Sequence, residues 1–169
     1  MHPYHFNDHR HRYAVWTAAR AVQRNFTITT AIREAIESSD LRDFMENEKE
    51  YNQIEFDAFH KTCAGKIIDS FKNQGIENVS YGRAAKIIAI YLKTTVVLCN
   101  KATCTKSDVI HPPVDRILLQ NLAKTEPGLK ELADKNWTMF DLQNYWQTVE
   151  LIRSRFGSFN WRLEEFWEV

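Results

Sequence analysis

Glycine and proline are scarce in this chain, 5 and 4 in 169 residues. Sandwiches and barrels need frequent tight turns, which these two residues make, so an all-β fold has too little turn material here. Three cysteines cannot pair completely, and the N-terminus has no apolar signal core, which together predict a reducing compartment and a cytoplasmic protein. No apolar run approaches the roughly 18 residues of a membrane span. The longest apolar window, Ile87 to Cys99, is broken by Lys93 and the Thr94-Thr95 pair, so no transmembrane contact is expected. Neither a Gly-rich phosphate loop nor a Gly-x-Ser-x-Gly elbow occurs, which removes P-loop and α/β-hydrolase chemistry. Net charge is absent as well, with 22 basic side chains against 22 acidic.

The chain does have a core to build. It is 44% hydrophobic and 12% aromatic, which excludes disordered and fibrous classes and predicts one compact domain, 1–169, without disulfide or metal as a prop. Helical spacing recurs along most of it, so the expected fold class is all-α, a single multi-helix domain around a central buried helix. Asp8 to Arg24 puts Val15, Ala18, Ala19 and Val22 on one stripe, with Asp8 as N-cap. Thr29 or Thr30 caps Ala31 to Glu37, and a short helix follows at Leu41 to Met45. Phe56, Phe59, Cys63, Ile67 and Phe71 mark a helix through Asn73 that Gly75 stops. Arg83 to Leu98, opened by Ser80 or Tyr81-Gly82, is apolar on most faces and is therefore the central helix. Asn100 to Asp108 reads as a polar loop, and Pro112-Pro113 leads into a helix from Val114 that Glu126-Pro127 ends. Asp141 to Arg155 carries a clean amphipathic stripe, and Trp161 to Trp167 forms a short aromatic helix or turn.

Charge is unevenly placed. Between Lys61 and Lys106 eight Lys or Arg face only Asp69 and Glu77, and the first segment adds Arg10, Arg12, Arg20, Arg24 and Arg33. Such stripes can neutralise nucleic-acid phosphates, or they can be ordinary solvated helix faces. The His/Arg-rich first helix is also a candidate surface for a protein partner.

The stretch with most chemical content is Tyr81-Gly82-Arg83-Ala84-Ala85-Lys86, its apolar helix, and then His111-Pro112-Pro113-Val114-Asp115-Arg116. The Pro-Pro corner delivers Asp115 to the first turn of a helix, where a carboxylate can accept backbone N–H bonds and is stabilised by the helix dipole. A capping aspartate accounts for that placement by itself. A glycine-opened helix followed by Pro-Val-Asp and an apolar helix also resembles the core of the helix-hairpin-helix DNA glycosylase superfamily, over about Tyr81 to Leu122. The resemblance implies a base-excising enzyme with Asp115 as catalytic carboxylate and Arg83, Lys86 and Arg116 near the phosphates of bound DNA. The family's Leu-Pro-Gly-(x)-Gly hairpin is absent, Gly82 being preceded by Val79-Ser80-Tyr81, and Lys86 stands further from the glycine than the family's lysine. Over nearly the whole length, the runs His11 to Arg20, Ala84-Ala85-Lys86, His111 to Asp115 and Trp137-Thr138 with Tyr145 resemble a group of uncharacterised bacterial helical proteins. That likeness supports the boundaries of one domain. The competing class is a non-enzymatic helical interaction module of a bacterial multi-protein system, with Asp115 only a cap.

No cofactor or metal is expected. His2, His5, His9 and His11 crowd the N-terminus as a solvated His-rich end, although His5 and His9 could share one helix face. Cys99, Cys104 and His111 offer three soft ligands, and Cys63 or His60 would have to supply a fourth for zinc. Glu164-Glu165 and Asp40 with Asp43 read as surface charge. Trp137, Trp146, Trp161 and Trp167 read as core rather than as a stacking platform.

Overall fold

A computed structural model describes residues 3–168 and contains, among these, helices and connections but no strand. The α-helices are α1 (Phe6–Val22), α2 (Thr29–Glu37), α3 (Leu41–Glu46), α4 (Gln53–Asn73), α5 (Tyr81–Leu92), α6 (Arg116–Thr125) and α7 (Leu142–Phe156). Helix α5 is the axis of the packing: α1, α3, α4 and α7 all lie against it. The cause is its sequence, since ten of its twelve residues are buried, among them Ile87, Ile88, Tyr91 and Leu92. An all-α domain around a central buried helix is thus what the chain forms.

Alpha5 continues as a π-helix over Lys93–Leu98, not as the regular helix expected to Leu98. The Thr94 and Thr95 hydroxyls donate to the Ile90 and Tyr91 carbonyls at 2.8 Å each. Such back-bonding competes with the backbone ladder at the place where the coil widens. Local chemistry also corrects other boundaries. His5, not Asp8, is the N-cap of α1, and Asp8 sits at N3, where its carboxylate accepts the His5 N–H in a capping box. Helix α2 starts at Thr29 after Ile28, without a side-chain cap, because the Thr29 hydroxyl is turned to Gln23. Helix α6 starts one residue after Asp115, which is its cap. Within the expected polar loop, Thr105–Val109 forms a 3-10 helix with Lys106 and Ser107 buried. The Lys106 ammonium is held there by the carbonyls of Phe44 and Asn47 and the Asn47 side chain. Short 3-10 helices follow α6 at Pro127–Asp134 and Trp137–Met139, and Trp161–Phe166 docks as another.

Candidate functional site

The structure brings Lys86 and Asp115 together. Asp115 is an extended residue after the two prolines, and its Oδ1 accepts the Leu118 N–H at 3.0 Å. Its Oδ2 receives the Lys86 ammonium at 3.3 Å and the Trp167 indole N–H at 2.9 Å. Lys86 comes from the middle of α5, lies 4.4 Å over the Trp137 ring, and its amine is pushed toward neutrality by burial while Asp115 opposes that shift. Arg83 does not join them: its guanidinium donates to the Asn78 carbonyl at 2.6 Å and covers the Phe26 ring. Arg116 is exposed beside Asp115. Surface clefts of about 330 to 720 Å³ lie elsewhere, and neither Lys86 nor Asp115 lines any of these five.

The central basic stripe is taken apart by folding. Lys66 pairs with Asp40, Lys86 with Asp115 and Lys93 with Glu164. Arg83 and Lys106 are spent on carbonyls, and Lys61 lies over the Trp146 ring. Six of the eight cations are thus engaged within the protein, while Lys61, Lys66, Lys72 and Lys101 remain exposed.

Helix α1 is different. Its inner face, Ala14, Val15, Ala18, Ala19 and Val22, is buried against α5 and α2. Opposite lie Phe6, His9, Tyr13, Trp16 and Arg20, a stripe about 80° wide at 100° per residue. Phe6, Tyr13 and Trp16 are each more than half exposed, and the Tyr13 and Trp16 rings stand 5.9 Å apart. Along one flank runs a groove of about 720 Å³ between α1 and α2, with Arg12, Trp16 and Arg33 in its walls. Arg12, Arg20 and Arg24 have no carboxylate within ion-pair distance among the described residues, whereas Arg33 approaches Glu37 and Asp8 is taken by Arg42.

A third constellation was only partly visible in the sequence, which marked His60 and His111 as soft ligands. Both imidazoles are buried and turned to aromatic hydroxyls: His60 Nδ1 is 3.0 Å from the Tyr81 hydroxyl and His111 Nδ1 is 3.0 Å from the Tyr145 hydroxyl. The Tyr145 hydroxyl is also 3.5 Å from His60 Nε2, and Trp146 donates its indole N–H to the Tyr81 hydroxyl at 3.0 Å. His111 Nε2 lies 3.4 Å from Asp57, whose two oxygens hold Arg153 at 2.7 and 2.8 Å. Burial opposes ionisation of Asp57, yet bonds from His111, Arg153 and Gln53 keep its carboxyl well below the usual range. Asp57 and Arg153 carried no signal, and Tyr81 and Tyr145 were marked only as members of longer runs, because helical spacing says nothing of what meets them across the core.

No group of three or more His, Cys, Asp or Glu side chains among the described residues is arranged to hold a metal ion. His111 faces the core, Cys99 is exposed and directs its thiol to the Thr94 carbonyl, and Cys104 accepts from Asn100. His5 and His9 are exposed, His9 pairing with the Tyr4 hydroxyl, whereas His11 is not solvated but buried with Nδ1 2.8 Å from the Tyr91 hydroxyl, and His2 lies outside the described residues. No helix is long and apolar enough to cross a membrane among those residues. No protein-family model matches the chain, and no curated protein or solved structure matches it.

Proposed function

We propose that this chain is a non-enzymatic helical binding module that meets a nucleic acid through α1. The observation that carries this reading is the exposed Phe6, Tyr13 and Trp16 stripe, flanked by Arg12, Arg20 and Arg24, which have no carboxylate partner among the described residues. Arginines supply the phosphate contacts, and open aromatic faces accept unstacked bases, so single strands bind more tightly than duplex. The test is fluorescence anisotropy with a labelled single-stranded oligonucleotide and its duplex over a salt series. Three arginine contacts predict a log–log salt slope of about −2 on single strands. Trp16→Ala and an Arg12, Arg20, Arg24→Gln triple variant should each weaken binding, the triple also flattening the slope. Absence of binding at low salt, or binding indifferent to both variants, overturns the reading and favours a protein partner at this face.

A second reading, base excision of the helix-hairpin-helix glycosylase kind, is favoured by one observation: a largely buried lysine 3.3 Å from a carboxylate at a helix start. A desolvated amine can act as a nucleophile beside such a carboxylate. It ranks second because Asp115 already accepts three donors and lines none of the clefts described. Base release from a panel of damaged oligonucleotides, with borohydride trapping of an amine adduct, decides it. Release lost in Asp115→Asn would establish the enzyme; no release or trapping by the wild-type protein would end it.

A further inference from the structure

The buried histidines and tyrosines and the half-buried Trp146 form a chain whose donor direction follows from its Trp146 end. The indole N–H of Trp146 can only donate, so the Tyr81 oxygen accepts it and the Tyr81 O–H is left for His60 Nδ1. A neutral His60 then carries its proton on Nε2, facing the Tyr145 oxygen. Tyr145 in turn donates to His111 Nδ1, and His111 presents Nε2–H to Asp57, which as a carboxylate can only accept. Arg153 lies 3.3 Å from the same Nε2 and could donate to it only if that nitrogen were bare; with Nε2 protonated by the direction set at Trp146, the two donors share the Asp57 carboxylate. With the direction reversed, the Tyr81 oxygen would take two donors and its own buried hydrogen would have no acceptor. A bare His111 Nε2 could take the Arg153 N–H instead, so it is the Trp146 end that sets the direction. Only one direction satisfies every member.

We propose that Trp146, Tyr81, His60, Tyr145, His111 and Asp57 are a single hydrogen-bonded chain of fixed direction that acts as an acid-released lock, holding α7 to α4 and α5 while both imidazoles are neutral. The lock spans three helices and the segment before α6: His60 and Asp57 are on α4, Tyr81 on α5, His111 before α6, and Tyr145, Trp146 and Arg153 on α7. A second proton on either histidine lands on Nδ1, where a tyrosine hydrogen already points. That hydroxyl must turn away, and its buried hydrogen then has no partner. The charged groups around His60 are Asp57 and Lys61 on its own helix, His111 before α6 and Arg153 on α7. Around His111 they are Asp57 from α4 and Arg153 and Glu150 from α7. Burial depresses the affinity of both imidazoles for that proton, more than Asp57 restores it.

The sign follows from linkage. Unfolded histidine titrates near pH 6.5, so as pH falls below that value the unfolded chain takes up protons that the folded one refuses, and stability is lost. Each such histidine raises the unfolding constant about tenfold per pH unit below this point. Nitrogen-15 NMR of the wild-type protein at pH 7 should show both imidazoles as the Nε2–H tautomer; an Nδ1–H tautomer at either overturns the chain's direction. Urea unfolding at pH 6 and pH 5 should show the unfolding constant of the wild type rising about tenfold more than that of His60→Gln. An equal rise overturns the lock, and if the variant does not fold, the tautomer measurement decides. Hydrogen exchange, corrected for intrinsic rates, should lose protection in α7 before α1 as pH falls from 6.5 to 5. Uniform loss overturns the assignment to α7.

Discussion

The carbonyl oxygen of Trp137 stands 1.9 Å from where a β-carbon on Gly82 would be, and Gly82 gives its N–H to the Phe140 carbonyl at 3.0 Å. The missing side chain therefore lets the 137–140 segment lie on the first turn of α5. The obstacle is backbone, which cannot swing aside as a flexible side chain can. Gly82→Ala should lower stability by about 1–3 kcal/mol or more, as overpacking does. A shift of the urea midpoint to lower concentration checks it, and an unchanged midpoint would show that the segment can move.

Packing of α5 gives a second expectation. Ile88 is 1% exposed at the centre of the domain, whereas Met139 is 72% exposed. Ile88→Ala should cost about 2–5 kcal/mol through lost burial and the cavity left behind. Met139→Ala should stay within about 0.5 kcal/mol. Denaturant unfolding of the two variants beside the wild type separates core from surface, and equal midpoints would contradict the central position of α5.

These two residues also show how far the sequence could be read. Apolar residues on most faces of one helix can only be buried, so α5 was legible, and with it the all-α class. The reason for Gly82 was not, because the Trp137 carbonyl arrives from more than fifty residues away and leaves no periodic trace. Asp115 was legible as a cap from Pro112-Pro113 alone, but its contact with Lys86 depends on how α5 and α6 cross. The partners of the Lys61 to Lys106 cations were not legible for the same reason. Sequence shows that cations are near one another, whereas only tertiary packing shows that Asp40, Asp115, Glu164 and the Phe44 carbonyl consume them. The aromatic stripe on α1 was not legible either, because Phe6, Tyr13 and Trp16 are apolar residues whose exposure only packing decides.

The Lys86 and Asp115 pair should respond asymmetrically to loss of one partner. The two side chains are 10% and 16% exposed, so solvent screens them little. Asp115→Ala removes the α6 cap and leaves a buried ammonium with no counter-charge, which should cost about 3 kcal/mol. Lys86→Met keeps the volume, and Asp115 retains the Leu118 and Trp167 N–H donors, so the cost should be about 1 kcal/mol. Asp115→Asn keeps a capping oxygen and should fall between them. Stability measured for all three at pH 7 tests the order, and Lys86→Met proving the most damaging would refute it.

Asp57 predicts the acid end of the stability curve. Its carboxyl is held below the ordinary value of 3.8 in the fold, where Arg153 takes both oxygens and His111 and Gln53 add bonds. A carboxylate with a depressed folded value stabilises the fold fully above its unfolded value, and that contribution disappears as pH falls below about 4 toward the folded value. Asp57→Asn should thus be destabilised most at pH 7, on the order of 3 kcal/mol, because the largely buried Arg153 loses its charge partner. The gap between variant and wild type should narrow between pH 4 and pH 2, where the wild type itself loses the interaction. Urea midpoints at pH 7, 4 and 2.5 measure this directly. A gap that stays constant across that range would mean that Asp57 acts through its shape and hydrogen bonds rather than through its charge.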